Sequence, residues 1–367
     1  MSQKRTPPSL ALLREQIDRL DAQILTLLNR RASLAMRIGQ VKSRDQAVVY
    51  APSRERQVFA QLAALNKGPL SNEAIRAIYR EVISASRALE EPPRIAYFGP
   101  EATYTHMAAR EQFGSQAVFV PVATIPQVFA EVEHAQADYG VVPLENSSEG
   151  SVALTLDTFV DSPLSIIAEV ALEIRHCLLS RATKLDQIKR VLAHPQALAQ
   201  CRRWLAAHLP AVPAEEAASN ARAAELAVAE VQVAAIAGTM AAENYKLNVL
   251  AAGIQDQAAN FTRFAVLGRA RPAGPPTTHD KTSLLLSVRD EVGALYHALK
   301  PFADHAINLL RIESRPLKGR PWEYLFFIDV AGHMHDTPIA RALQEIQPLC
   351  SFVKVLGSYA SANHTVR

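Results

Sequence analysis

Three groupings of residues in this chain have the types and spacing of chemistry. The first centres on Arg31, the one charge among positions that otherwise repeat as aliphatic residues every seven. Leu10, Ile17, Ile24 and Ile38 share its register, and Leu13, Leu20, Leu27, Leu34 and Val41 run beside it. A guanidinium buried in such a seam is unfavourable unless paired. Snorkelling, or an acid across a helix dimer, would satisfy it without a ligand. Lys42 lies three helical turns further on nearly the same face, about 16 Å along, and two long cations there can converge on a small dianion. Arg14, about 25 Å from Arg31 on the same helix, cannot share that site but can serve the equivalent one formed with a partner's helix. Arg54-Glu55 stands at the opening of a second helix, and Ser86 and Glu90 share one face of a third.

The second grouping is Asn260-Phe261-Thr262-Arg263-Phe264, a hydroxyl and a cation between large aromatic residues at the head of an apolar run. The hydroxyl can donate to a leaving group, and the cation can hold a carboxylate bidentately. The same alternation also fits a plain strand with outward polar residues. Other polar clusters fall where strands end: Gly99-Pro100 with Thr103 and Thr105, Glu145-Asn146-Ser147-Ser148-Glu149-Gly150, His194-Pro195-Gln196, and Ser219-Asn220. Ser and Thr before a helix usually cap it, and His194 also reads as a structural histidine. The third grouping is Val292-Gly293-Ala294-Leu295 at a helix start, where backbone N–H groups can receive an anion. Asn308 lies on the strand after that helix, and Glu313-Ser314-Arg315-Pro316 follows it. His333-Met334-His335 has the look of a metal pair, but no third ligand is near in sequence.

These residues need elements to hold them. Pro7-Pro8-Ser9 reads as a stop and an N-cap, and no Gly or Pro intervenes before Gly39. This predicts one helix of roughly 30 residues, about 45 Å long. Pro52-Ser53 opens a shorter helix that ends near Lys67-Gly68-Pro69, and Ser71 caps a third with the stripe Ile75, Ile78, Val82, Ala85 and Leu89. A long arm with an apolar seam calls for a second copy, so a homodimer or larger homo-oligomer is expected. Beyond Glu91-Pro92-Pro93, short β-rich runs alternate with helical ones such as Gln127–Glu133, Gln196–Ala207 and Asn220–Glu230. That pattern predicts an open α/β domain in two lobes with a cleft. After the linker Arg271–Pro276, the order strand, helix, strand, strand, helix, strand predicts a ferredoxin-like βαββαβ unit. The expected domains are 1–92, 93–270 and 281–360.

Composition excludes several classes. The chain has 367 residues, 39 Lys+Arg against 36 Asp+Glu, and a formal net charge of +3, with no basic block to suggest nucleic acid. Cys177, Cys201 and Cys350 are odd in number and far apart, which argues against a disulfide framework. Met1–Leu10 lacks an apolar leader, and the uncharged stretch after Glu111 is broken by Pro121 and Pro126, so a cytoplasmic protein without a membrane helix is expected. There is no Gly-x-Gly-x-x-Gly turn, phosphate-binding loop, HExxH or GxSxG.

The segments LREQIDRLD, NRRASLAMRIGQVK, PSRERQV and ISASRALE resemble the all-helical chorismate mutase domain. The resemblance implies a dimeric bundle in which Arg14 of the other chain, Arg31 and Arg54 clamp the carboxylates of chorismate. It also implies that Lys42 and Glu90 hydrogen-bond the ether oxygen, Glu55 holds the ring hydroxyl, and Ser86 assists a carboxylate. Ala51 stands where an Asp can bind substrate, and Glu90 where some relatives carry Gln. A carboxylate would repel the charge developing there, so Glu90 is expected to be buried and to donate a proton. Mutase activity should then fall as pH rises, and Glu90→Gln should flatten the profile.

GPEATYTHMAA, DYGVVPLENSSEGSV, HPQALAQC and NFTRFAVLG, recurring in that order, resemble prephenate dehydratase. The resemblance implies loss of carbon dioxide and the ring hydroxyl of prephenate, without metal or organic cofactor. Thr262 would assist the departing hydroxyl and Arg263 would hold a carboxylate. Thr103, Asn146, Ser147 and Ser219 would add hydrogen bonds, Glu145 would orient them, and Phe264 would shape the pocket. GALYHAL and INLLRIESRP resemble the ACT regulatory domain. They imply that Gly293, Ala294, Leu295, Asn308, Glu313, Ser314, Arg315 and Pro316 bind L-phenylalanine as a feedback effector. Leu310 replaces a hydroxyl residue found in many relatives.

Overall fold

The computed structural model describes residues 9–44, 52–257, 259–269, 276–277, 279–317 and 324–362, with side chains at all of these except 42–44 and 53. They form two compact units. The expected architecture is present: an all-helical segment, an open α/β segment with two sheets, and a βαββαβ segment.

The helical unit takes in α1 (Leu10–Arg44), α2 (Pro52–Leu65) from Glu55 onward and α3 (Asn72–Ala88), with the segment Phe113–Ala117. α1 runs for 35 residues because nothing in it breaks a helix before its end. Ser71 caps α3 as expected, its Oγ accepting from the Ala74 N–H at 3.1 Å. Gly39 is buried within α1, and a Cβ there would lie 2.0 Å from Glu90 Oε2. Only a residue without a side chain lets the helix come that close to the carboxyl group. The aliphatic seam is bare in the single chain: Leu13, Ile17, Leu20, Ile24, Leu27, Leu34, Ile38 and Val41 are all exposed.

The second unit holds three sheets. The first contains β1 (Arg94–Phe98), β2 (Val118–Val122), β3 (Tyr139–Asn146), β4 (Gly150–Ser151), β5 (Leu164–Glu173) and β11 (Phe261–Arg269), in the order β2-β1-β3-β11-β5 with β4 on β3. The chain's late return as β11, antiparallel to both β3 and β5, closes this lobe. The second sheet contains β6 (Cys177–Ser180), β7 (Arg190–Ala193), β8 (Ala214–Glu216), β9 (Val233–Ala237) and β10 (Asn248–Ala252), in the order β10-β6-β9-β7-β8. Helices α4 (Tyr104–Phe113), α5 (Ile125–Glu133), α6 (Ala153–Asp161), α7 (Pro195–Gln200), α8 (Arg202–His208), α9 (Asn220–Ala227) and α10 (Thr239–Tyr245) connect the strands. The helix expected over Gln196–Ala207 is two, with the break at Cys201.

The third sheet contains β12 (Asp280–Val288), β13 (Leu309–Pro316), β14 (Tyr324–Ala331) and β15 (Cys350–Ala360), in the order β13-β14-β12-β15, with α11 (Ala294–Asp304) and α12 (Thr337–Ile346). Two expectations shift here. Asn308 immediately precedes β13, and Glu313-Ser314-Arg315-Pro316 lie on that strand because β14 continues to pair with it as far as Tyr324. Proline is tolerated at such an edge.

One core runs through this sheet and the first lobe. Leu144, Leu156, Phe159, Ile166 and Ala265 share it with Leu285, Phe327, Leu356 and Tyr359. Burying an aromatic side chain such as Phe159 contributes about 2 kcal/mol. Gly357 permits the closest approach, since a Cβ there would meet the Ile166 carbonyl oxygen at 2.1 Å. Among the described residues no helix is long and apolar enough to cross a membrane.

Candidate functional site

A cleft of about 1330 Å³ lies between the two lobes of the second unit. Thr103, Asn146, Ser151, Thr262 and Phe264 line it from the first lobe, and His176, His194, Gln200, Ser219 and Arg222 from the second. Residues at the N-termini of α4, α7 and α9 open onto it, so the positive ends of three helix dipoles face its interior. Arg222 is the one Lys or Arg among the described lining residues, and Glu225 pairs with it at 2.6 Å.

Asn146 organises the first-lobe wall. Its Oδ1 accepts from the Ser148 and Glu149 N–H groups at 2.9 and 3.2 Å, which turns its amide nitrogen toward Asn260 Oδ1 at 2.9 Å and Thr262 Oγ1 at 2.8 Å. Thr262 therefore accepts, and its own proton is left for a group in the cleft. The chain continues from Asn260 Nδ2 to Gln200 Oε1 at 3.1 Å. His176 Nε2 meets the same oxygen at 2.9 Å, so that nitrogen carries the proton, and Nδ1 lies 3.0 Å from the Tyr104 hydroxyl, which donates to the Arg175 carbonyl at 2.9 Å. Burial lowers the His176 pKa and keeps the ring neutral. Asn260, Gln200, His176 and Tyr104 were not among the expected site residues. Asn260 and Gln200 lie inside two of the motifs, NFTRF and HPQALAQC, which was the available signal.

The remaining expected residues divide. Ser219 caps α9, accepting from the Arg222 N–H at 3.0 Å, and lines the cleft. Thr103 also lines it while its hydroxyl bonds the Pro100 and Phe98 carbonyls and the His106 N–H. His194 lines the cleft while its Nδ1 accepts from the Gln196 N–H and caps α7. Ser147 turns away, clamping Phe261 through its Oγ at 3.0 Å and its N–H at 2.8 Å.

Arg263 does not line the cleft. Strand alternation sends Thr262 and Phe264 inward and Arg263 to the opposite face, where a register shift opens between Arg263 and Phe264 against β3. Its guanidinium meets Glu145 at 3.0 Å, Asp329 at 2.9 Å and Glu169 at 3.4 Å. Burial opposes its charge, yet Glu169, Asp329 and Glu145 outweigh that and raise its pKa. Asp329 also meets Lys281 at 3.4 Å, and burial is overcome by Lys281 and Arg263 to hold its carboxyl down at about 2. Expected to grip a substrate carboxylate, Arg263 is instead engaged by three of the protein's own. Glu145 pairs with it rather than with cleft residues.

In the βαββαβ segment, Gly293, Ala294 and Leu295 form the start of α11, with Gly293 at φ 77°. Asn308, Glu313, Ser314 and Pro316 lie at or along β13. Arg315 faces α6, meeting Asp157 Oδ1 and Oδ2 at 3.1 and 3.3 Å. That contact is between the two segments, not with an open pocket.

In the helical unit, Arg31 Nη1 donates to Ser86 Oγ at 2.9 Å, and Ser86 donates to the Val82 carbonyl at 2.7 Å. The seam's lone charge is thus anchored on α3. Glu55 pairs with Arg87 at 3.3 Å, a partner the sequence did not suggest. Glu90 is exposed in the single chain, so the burial expected of it is not supplied by this chain's own residues. Arg14 and Arg54 are exposed, Lys42 lies on α1 with its side chain outside the described residues, and Ala51 lies outside them altogether.

Comparison with known proteins agrees with this division. Residues 13–91 match the family chorismate mutase type II, 95–272 match prephenate dehydratase, and 282–347 match the ACT domain. The bifunctional chorismate mutase/prephenate dehydratase of Aquifex aeolicus is 48% identical over 95% of this chain and 97% of its own length. Among solved structures, the prephenate dehydratase of Arthrobacter aurescens in complex with L-Phe is 34% identical, with a TM-score of 0.69, over 74% of this chain and 90% of its own. A protein described as GqqA, a novel type of quorum quenching acylase, is 31% identical, with a TM-score of 0.68, over 74% of this chain and 99% of its own. With a relative this similar along nearly the whole length of both chains, this protein belongs to the bifunctional chorismate mutase/prephenate dehydratase family.

Proposed function

We propose that the chain works in two places: it rearranges chorismate to prephenate around Arg31 of the helical unit, and converts prephenate to phenylpyruvate in the two-lobed cleft. The observation that carries the second reading is the Asn146–Thr262 hydrogen bond, which directs the threonine proton outward. As the ring carboxylate leaves as carbon dioxide, its bonding electrons enter the ring and the C–O bond to the hydroxyl breaks. The departing oxygen takes up one proton and leaves as water. Thr262 donates a hydrogen bond to that oxygen, and a desolvated site strengthens it. The N-termini of α4 and α9 receive the substrate carboxylates, while Arg263, which is not among the residues lining the cleft, stays with its three carboxylates.

The mutase step breaks one C–O bond and forms one C–C bond with no nucleophile, so it needs a compact conformer and preorganised charge. Arg31 and Arg54 hold the carboxylates together with Arg14 of a second copy, Lys42 and Glu90 face the ether oxygen, Glu55 holds the ring hydroxyl and Ser86 steadies Arg31. The bare seam of α1 supports a dimer that supplies that second copy. L-phenylalanine acts as a feedback effector at α11 and β13 of the ACT segment, a reading supported by the L-Phe complex of the Arthrobacter relative.

Chorismate supplied to the purified protein tests these assignments. Prephenate should rise and fall as phenylpyruvate accumulates, and added L-phenylalanine should slow the second step. Prephenate that accumulates unchanged would remove the dehydratase reading, and a rate indifferent to phenylalanine would remove the effector reading.

A further inference from the structure

A buried ionic cluster joins the first lobe to the βαββαβ segment, and neither side is neutral alone. The lobe contributes Arg263, Glu145 and Glu169, one cation against two carboxylates. The βαββαβ sheet contributes Lys281, Arg311 and Asp329, two cations against one carboxylate. The charges balance only when the two are together, so each segment completes the other's electrostatics.

Within this cluster Arg311 alone also reaches the cleft wall. Alternate burial along β13 turns Arg311, Glu313 and Arg315 inward and Leu310, Ile312 and Ser314 outward. The Arg311 side chain is 9% exposed, with Nε 3.6 Å from Glu145 Oε2, while Nη2 donates to Ser151 Oγ. Ser151 lines the cleft. Glu145 is the cross-strand partner of both Arg263 and Ser151, and the next residue is Asn146, whose amide holds Thr262. We infer that Arg311 is a positioning residue of the dehydratase, tying the strand that carries the expected effector residues to the strand that holds Asn146 against Thr262. The inference rests on the cleft reading given above and adds a route to it: a shift of β13 carries a charge gripped by two groups of the cleft's own strands. Arg315, held by Asp157 of α6, travels with it.

The test uses the full chain with Arg311→Met, which keeps side-chain length and removes charge and donors, and Arg311→Lys, which restores the charge. Dehydratase kcat and KM are measured on prephenate, with the mutase rate of the same sample as a control on folding. Arg311→Met should lower dehydratase kcat about fivefold or more with KM changed less than about twofold, leave the mutase intact, and shift half-inhibition by L-phenylalanine. Arg311→Lys should recover at least half of the lost kcat. A dehydratase kcat in Arg311→Met within about twofold of the parent overturns the inference. Ser151→Ala removes the other end of the contact without disturbing the buried charges, and guards against a misfolded Arg311 variant. Combined with Arg311→Met it should lower kcat no further than Arg311→Met alone, and fully additive losses also overturn the inference. A parent protein that makes no phenylpyruvate defeats the cleft reading itself, before any variant is compared.

Discussion

The Asn146 amide donates to the Thr262 hydroxyl at 2.8 Å while its own oxygen is held by two successive backbone N–H groups, those of Ser148 and Glu149. The amide cannot flip without losing both, so Thr262 stays an acceptor on that side and a donor toward the cleft. Thr262→Ala should lower phenylpyruvate formation by at least about 100-fold, and Thr262→Ser should stay within about tenfold of the parent. Asn146→Asp replaces a donor by an acceptor and draws the threonine proton back, so its loss should approach that of Thr262→Ala. The mutase rate of each protein should not move. Assays of both reactions on one preparation check this, and a Thr262→Ala variant with near-parental dehydratase activity would remove Thr262 from the mechanism.

Arg263 carries a different prediction, because its three carboxylates lie away from the cleft lining. Arg263→Met leaves Glu169 and Asp329 buried with one cation fewer and should destabilise the second unit by about 3–5 kcal/mol. Asp329 gives the pH signature. Its carboxyl sits at about 2 against 3.8 ordinarily, so its contribution is present above about pH 4 and is lost as pH falls toward 2. The acid loss should be smaller in Arg263→Met than in the parent. Urea titrations at pH 7 and pH 3 measure both effects, and an unchanged midpoint at pH 7 would refute the first.

The contrast between Thr262 and Arg263 shows what sequence could and could not supply. Both stand in one motif, and the motif was legible. Their opposite fates follow from strand alternation and from Asp329, which is 66 residues away on a sheet whose docking no local pattern encodes. Arg315 fell to the same cause, since its partner Asp157 is 158 residues distant. α1 was legible because its aliphatic repeat is uninterrupted. β8 was not, because Ala214-Glu215-Glu216 is exposed throughout and is a strand only by pairing with β7. The helix over Gln196–Ala207 carries no glycine or internal proline to announce its break at Cys201.

His106 is a second pH-sensitive element. Its Nδ1 accepts from the Ala102 N–H at 3.1 Å, and its ring stacks on Tyr97 at 4.6 Å. Burial, with Arg110 adding to it, lowers its pKa to about 4. Protonation would set an N–H against an N–H. The folded value lies below the unfolded 6.5, so the unfolded chain binds more protons between them. Stability is then full above pH 6.5 and declines as pH falls toward 4, by about 3 kcal/mol at most. His106→Asn keeps an acceptor that does not titrate there. It should be less stable at pH 7 for want of the stacked ring, but its stability should change less between pH 7 and pH 4.5. Equal slopes for parent and variant would exclude His106 as the source.

The seam of α1 makes the last prediction. Leu20, Ile24 and Leu27 are 55%, 52% and 63% exposed in the single chain, on a helix of 35 residues. Covering a leucine of this kind contributes about 2 kcal/mol, and a seam of them exceeds what solvated helices ordinarily leave bare. A second α1 laid along it would cover the seam and bring its Arg14 to the site of Arg31, so assembly and mutase activity should fail together. Leu27→Lys places a charge in the centre of that seam without touching any residue assigned to substrate. Light scattering should then show a smaller species, and the mutase rate should fall by at least about tenfold. A Leu27→Lys protein that keeps the parental mass and the parental mutase rate would mean that the seam is covered by something other than a second copy.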